Sequence, residues 1–278
     1  MKKDKYKILV LSDLKKSTQT ILKSTVSLAK MIQGDIEFFH IKKPTDVVEK
    51  ENQLSAIRTI NSEYRKTEKK IQNIITPISN EFGINIPYSF TFGNIKDEIL
   101  SYINEHKPDI IVLGKKKSKA FNIIGDNVTD FILKNHEGVI MIAANENGLE
   151  PDKELALGVL NNIEEAFNLE FSNSLLAHSQ KPLKCFKIIN KSNDLKETNG
   201  NGTDTDTIEF VFEQSDNAMS SLSNYLVKSK VNLLCLNRGV EKAKKVPSVN
   251  SDVKDVISKL KVSLLLAGKQ NQISQKSI

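Results

Sequence analysis

The stretch HKPDIIVLG at 106–114, followed by HEGVIMIAA at 136–144, decides the fold, because the chain writes it twice. SKVNLLCLN at 229–237 and LKVSLLLAG at 260–268 repeat the two pieces in the same order. Each piece is a polar turn that opens into a short unbroken apolar run, the pattern of a strand buried on both faces. Strands of that kind need a helical layer on each side, so the expected fold is an α/β sandwich with a mostly parallel sheet. The long-period repeat also raises the expected number of domains from one to two.

Outward from the first copy, YKILVL at 6–11 is another buried strand, and 13–20 is a polar, Ser-rich helix start. Ile21, Leu22, Thr25, Leu28, Ala29 and Ile32 recur at helical spacing, with Gly34 as the expected stop. DIEFFHI at 35–41 is a second strand. Residues 49–82 alternate charge and apolar residues at steps of three and four, which predicts a long helix closed by Gly83. INIPYSFTF at 84–92 is a third strand, and its Pro87 suits an edge. A helix follows Gly93-Asn94, then DIIVLG, a basic loop, a helix over 128–135, and GVIMIAA. Five strands joined by short right-handed crossovers make a doubly wound, three-layer unit.

The pattern restarts at Glu154. ELALGVL (154–160), a helix over 161–179, PLKCFKII (182–189), TIEFVFE (207–213), a helix in 216–230, VNLLCLN, a helix in 251–261 and VSLLLAG repeat the order. NKSNDLKETNGNGTDTD at 190–206 stands where the first copy has its long helix and has no helical periodicity. It predicts a loop, ordered or disordered, so the second copy lacks that helix. With 145–153 as linker, the expected units are 1–145 and a degenerate second unit at 151–270, each with a five-stranded sheet.

Composition bounds the function classes. The 278 residues, 39% hydrophobic and 27% charged, can bury a core without metal or disulfide staples. A net charge of +6 discriminates little, because lysine-rich surfaces alone produce it. Cys185 and Cys235 sit inside apolar runs as buried strand thiols, which suits a reducing compartment. The apolar run at the N-terminus is too short for a signal sequence or a membrane span. These features point to a cytoplasmic protein. His40, His106, His136 and His178 lack metal-ligand spacing, and the chain has no G-x-S-x-G, Walker loop, H-E-x-x-H or C-x-x-C. Basic residues without interleaved aromatics argue against nucleic-acid binding.

ILVLSD at 8–13, FTFGNIKDEI at 90–99, KPDIIVLG at 107–114 and NVTDFIL at 127–133 before GVIMI resemble the universal stress protein family in its tandem form. The likeness covers most of 5–143 and, more faintly, 154–268. It implies an adenine nucleotide alpha hydrolase-like fold. Nucleotide-binding members carry G-x2-G-x9-G-[ST] after the fourth strand, where glycines let backbone N–H groups approach phosphates and a hydroxyl adds a donor. Such members associate the aspartate after the first strand with the ribose and adenine end.

This chain keeps Asp13 and Gly114. Lys117 occupies the second glycine position, and the loop is about one residue short of the family pattern. Asp126 and Asn127 fall where Gly and Ser/Thr belong, unless Gly125 shifts into place. A carboxylate at residue 126 would hold the place of a phosphate at a helix start. Lys115, Lys116, Lys117 and Lys119 supply positive charge, as a solvated loop or as a phosphate clamp. Asp13 has a second reading as a turn residue. In the second copy, Asn161 or Asn162 stands in place of Asp13 and Asn237 in place of Gly114, so no nucleotide is expected there.

The resemblance implies a non-enzymatic stress-response protein. The leading expectation is a tandem scaffold that has lost its ligand and needs no cofactor. The alternative is a sensor of ATP or another adenine nucleotide, held in the first unit by Asp13, Ile41, Gly114, Lys115, Lys117, Gly125 and Asn127. A slow ATP-hydrolysing enzyme is the weakest alternative, since no general base or metal set is identifiable. The expected partners are the two units paired within one chain through their last strands, a second copy, or an unidentified protein. Nucleic acid and membrane are not expected.

Overall fold

The computed structural model describes residues 5–44, 53–115, 128–161, 163–167, 169–189, 207–238 and 253–268. The expected site residues Lys117, Gly125 and Asn127 therefore lie outside the described residues, as do Lys116, Lys119, Asp126 and the 190–206 segment.

In the first half, β1 (Tyr6–Ser12), α1 (Thr18–Ile32), β2 (Gly34–Lys42), α2 (Gln53–Phe82), β3 (Tyr88–Phe92), α3 (Ile95–His106), β4 (Ile110–Gly114), α4 (Val128–Asn135) and β5 (Val139–Ala143) follow the expected order. The second half contains β6 (Leu157–Leu160), α5 (Ile163–Ala166), α6 (Ser172–Ala177), β7 (Leu183–Ile189), β8 (Thr207–Glu213), α7 (Ala218–Lys228), β9 (Leu233–Asn237), α8 (Val253–Lys259) and β10 (Ser263–Ala267). All ten strands form one sheet in the order β3-β2-β1-β4-β5-β10-β9-β6-β7-β8. Within each half the pairing is parallel. The halves meet where β5 and β10 pair antiparallel, with Met141 opposite Leu265. The order reads the same from either end, so a local twofold passes through that pair.

Alternate strand residues point to opposite faces. Ile8, Val10, Phe38, Val112, Met141 and Leu265 belong to one core layer, beneath α1 and α2 in the first half and α5 and α6 in the second. Leu9, Ile111, Ile140, Leu264 and Leu266 belong to the other, beneath α3, α4, α7 and α8. Both layers run unbroken through the seam, which is why the central strands read as continuous apolar runs.

Local departures from the expected elements have physical causes. Helix α1 ends on Gln33 in the left-handed conformation (φ 59°), and Gly34 instead begins β2. A Cβ at residue 34 would lie 2.5 Å from the Ile8 side chain. The single helix expected over 161–179 is two short ones. Phe167, Leu169 and Phe171 alternate at two-residue steps, which one continuous helix would point in opposite directions, and the break leaves Leu169 and Phe171 both buried. Phe171 then packs edge-on against Tyr6 of the first half, with ring centroids 5.2 Å apart.

The 145–153 segment is no free linker. Ser24 Oγ and Ser27 Oγ donate to the carbonyls of Leu149 and Glu150, and Lys30 pairs with Asp152, so one face of α1 holds it. Among the described residues, no helix is long and apolar enough to cross a membrane.

Candidate functional site

Strand β1 lies between β2 and β4, and its neighbours cross over in opposite directions. A doubly wound sheet opens a crevice at such a switch point, outside the carboxyl ends of the strands. Here it is a cleft of about 1410 Å³ that gathers Asp13, Ile41, Gly114 and Lys115, four of the residues expected from the sequence. One wall is apolar, with Phe39, Ile41, Ile95 and Leu113. Lysines line the rest: Lys15, Lys16, Lys43, Lys70 and Lys115. Asp13 is the acidic group among the lining residues, so the local potential is positive.

The β1–α1 turn shapes the floor. Asp13 Oδ1 accepts the Lys15 backbone N–H at 3.2 Å, and its Oδ2 pairs with Lys15 Nζ at 2.8 Å. That is an Asx turn, so Asp13 performs the turn role as well as facing the cleft. Leu14 follows with φ 54° and its side chain buried, while Ser12 Oγ accepts the Leu14 N–H and meets the Thr18 hydroxyl. The start of α1 therefore points at the cleft with no acidic residue in its first turn and no side-chain cap from Ser17. A helix start of this kind attracts anions.

Gly114 has a packing reason of its own. A Cβ there would collide with Ile21 Cδ1, so α1 sits directly on the end of β4. Lys115 behaves differently from a phosphate clamp. It lines the cleft, but its Nζ is buried and, among the described residues, has no hydrogen-bond partner. Burial, reinforced by the like charge of Lys261, pushes its ammonium down to about 8. His40 sits behind the cleft, with Nδ1 2.7 Å from the Ser12 carbonyl oxygen. Burial lowers its pKa against the opposing effect of that bond, and Lys70 and Lys42 lower it further.

Sequence reasoning missed Lys15, Lys16, Lys43 and Lys70 as cleft residues. Lys43 directly follows β2 at the carboxyl end of the sheet. Lys70 lies at helical spacing from Thr67 and Ile74, whose stripe faces the sheet. Both positions were signals in hand. Arg238, which directly follows Asn237, serves the seam, where its side chain is buried. Asn161 directly follows β6, with φ 66°, and Asn237 ends β9.

Residues 6–137 match the model of the universal stress protein family. Over both halves, the chain is similar in fold to a universal stress protein from Archaeoglobus fulgidus DSM 4304. That match has 12% identity and a TM-score of 0.59, covering 94% of this chain and 98% of that one. A functionally unknown protein from Pseudomonas aeruginosa PAO1 is similar at 11% identity, with TM-score 0.55 and 95% and 92% covered. A putative universal stress protein from P. aeruginosa UCBPP-PA14 gives 11% identity, TM-score 0.53 and the same coverage, 95% and 92%. At these identities the likeness is one of fold. No curated protein matches the sequence.

Proposed function

We propose, from the match of residues 6–137 to the universal stress protein family, a ligand sensor whose first half binds an adenine-nucleotide-class molecule. The second half is the scaffold that completes the sheet. The units in this reading are 1–145 and 151–270.

The cleft carries the proposal. Its apolar wall of Phe39, Ile41 and Ile95 offers a surface for a base, and its lysines and the start of α1 suit phosphates. This favours the ligand-binding alternative over the ligand-free scaffold expected from the altered loop.

The role is binding rather than catalysis. Asp13, the acid facing the cleft, is engaged by Lys15, and His40 does not line the cleft. Among the described residues, no group of three or more His, Cys, Asp or Glu could hold a metal. We place the protein in the cytoplasm, since Cys185 and Cys235 are free and buried and burial pushes the Cys235 thiol up to about 12.

Thermal-shift titration of the full chain with ATP, ADP, AMP and cyclic nucleotides tests the reading. Ligand at a hundredfold excess over its Kd adds about 2.7 kcal/mol of stability, a rise of several degrees in Tm. Asp13→Ala and a Lys43→Ala/Lys70→Ala double variant should each reduce that rise. A folded chain whose Tm ignores every nucleotide at millimolar concentration sinks the proposal. The second reading, a scaffold acting through a protein partner, would then stand. The engagement of both Asp13 oxygens by Lys15 favours it.

A further inference from the structure

The seam between the halves is built differently at its two ends. About the Met141–Leu265 pair, β5 and β10 exchange places. Gly114, opposite Ala143, then corresponds to Asn237, opposite Ala267. The next residues, Lys115 and Arg238, are therefore counterparts. By the same symmetry the turn 136–138 before β5 corresponds to 260–262 before β10, and Ala144 corresponds to Gly268.

Arg238 is 6% exposed and spans the seam. Its Nε donates to the Ala267 carbonyl at 3.0 Å, inside its own half. Its Nη1 donates to the His136 carbonyl at 2.9 Å and Nη2 to the Glu137 carbonyl at 3.0 Å, with Gly138 O a further acceptor. Three carbonyls of the first half are thus held by one planar fork of the second, the geometry for which a guanidinium is suited. The backbones are also close there, since a Cβ on Gly268 would lie 2.6 Å from the Glu137 carbonyl oxygen.

Lys115 stands at the corresponding place without the corresponding bonds. Its Nζ is buried and unpartnered among the described residues, and so is the Oδ1 of its neighbour Asn145. A compact ammonium cannot bridge the three carbonyls that a guanidinium reaches. Lys261, in the turn that Lys115 would grip, adds like-charge repulsion. Ala144 carries a methyl group at the place that corresponds to Gly268, where a Cβ would meet the Glu137 carbonyl oxygen. One bond that crosses here is short in reach: the Ala144 N–H donates to Ser263 Oγ at 3.1 Å.

We propose that the seam is latched at the Arg238 end and compliant at the Lys115 end, so that it opens first where β4 and β5 meet the start of β10. That end adjoins the cleft, because Lys115 and Asn145 are among its lining residues.

Two measurements on the full chain test it. In hydrogen exchange of the unaltered protein, amides 142–144 and 262–264 should exchange about tenfold faster than 138–140 and 266–268, as local opening from one end requires. In thermal unfolding, Lys115→Met should hold or raise Tm, because it removes an unpaired buried charge. Arg238→Met should lower Tm by roughly 4 °C or more, because it strands the buried carbonyl acceptors at His136 and Ala267 and the part-buried ones at Glu137 and Gly138. Equal exchange at the two ends, or a fall in Tm for Lys115→Met matching that of Arg238→Met, overturns the proposal. Should Arg238→Met fail to fold, the exchange comparison and Lys115→Met still decide.

Discussion

In the first half the outer strands β2 and β3 lie under α2, a helix of 30 residues whose Tyr64 packs on Phe90 at 4.4 Å. In the second half the outer strand β8 leaves Ile208 and Val211 46% and 51% exposed, while every residue of β6 and β10 is buried. The two copies are thus alike at the centre and unlike at the edges. A strand buried on both faces cannot slip by one residue without turning its apolar set the wrong way, so its register is strongly specified. An edge strand with one open face is held by fewer contacts and tolerates change. The constraint that makes this chain a tandem therefore sits at the seam and weakens outward.

Truncating side chains at the two places should break that comparison if it is wrong. Leu265 is fully buried on the twofold, and Leu265→Ala should cost about 2–5 kcal/mol in denaturant unfolding of the full chain. Val211→Ala on β8 should change stability by no more than about 0.5 kcal/mol. The two halves share both core layers across the seam, so Leu265→Ala should also shift the whole transition rather than split it. Similar losses for the two variants would mean that the edge matters as much as the centre.

Acid should loosen the latched end of the seam. His136 is 5% exposed beside Arg238, and burial, then the Arg238 charge, pushes its pKa from 6.5 down to about 4. As pH falls below about 6.5 the unfolded chain binds this proton before the folded chain does. Stability is therefore complete above that pH and lost progressively between pH 6.5 and about 4. The loss from this residue is on the order of 3 kcal/mol, and His136→Phe should flatten that part of the curve. An NMR titration should also show the His136 pKa rising in Arg238→Met, since one of its two main depressing influences is gone. An unshifted His136 in that variant would separate the histidine from the latch.

How much of this was legible in the sequence follows the same gradient from seam to edge. The buried strands were plain because an unbroken run such as IIVL or LLLA has one reading at the centre of a parallel sheet. Their pairing through β5 and β10 was implied by the resemblance, and the register confirms that the two last strands meet. Of the cleft residues, Asp13 and Gly114 follow from motif position and Ile41 from the resemblance. Lys115 was assigned to the cleft by charge, but its side chain is drawn into the seam, which no local pattern could reveal. Arg238 was invisible for the same reason. Its acceptors are carbonyls about a hundred residues away along the chain, and carbonyls leave no mark in sequence. The broken helix of 161–179 was missed because helical apolar counts hid a two-residue alternation at Phe167, Leu169 and Phe171.

The 145–153 segment gives the finest test, because its composition reads as a linker and its contacts do not. Ser24 Oγ is buried and donates to the Leu149 carbonyl, 125 residues away along the chain. Gly148 lies so close to α1 that a Cβ would sit 2.5 Å from Ser24 Oγ. Removing the hydroxyl with Ser24→Ala leaves a carbonyl without its donor in a dry place, which costs about 1 kcal/mol. The ion pair between Lys30 and Asp152 spans the same two elements at 2.8 Å, but its side chains are 35% and 65% exposed. Water and salt screen such a pair, so Asp152→Asn should cost about 0.5 kcal/mol or less, and less still at high ionic strength. Packing against α1 then holds the segment, and the surface charges only decorate it. A larger loss from Asp152→Asn than from Ser24→Ala would reverse that order and make the segment an electrostatically tethered linker after all.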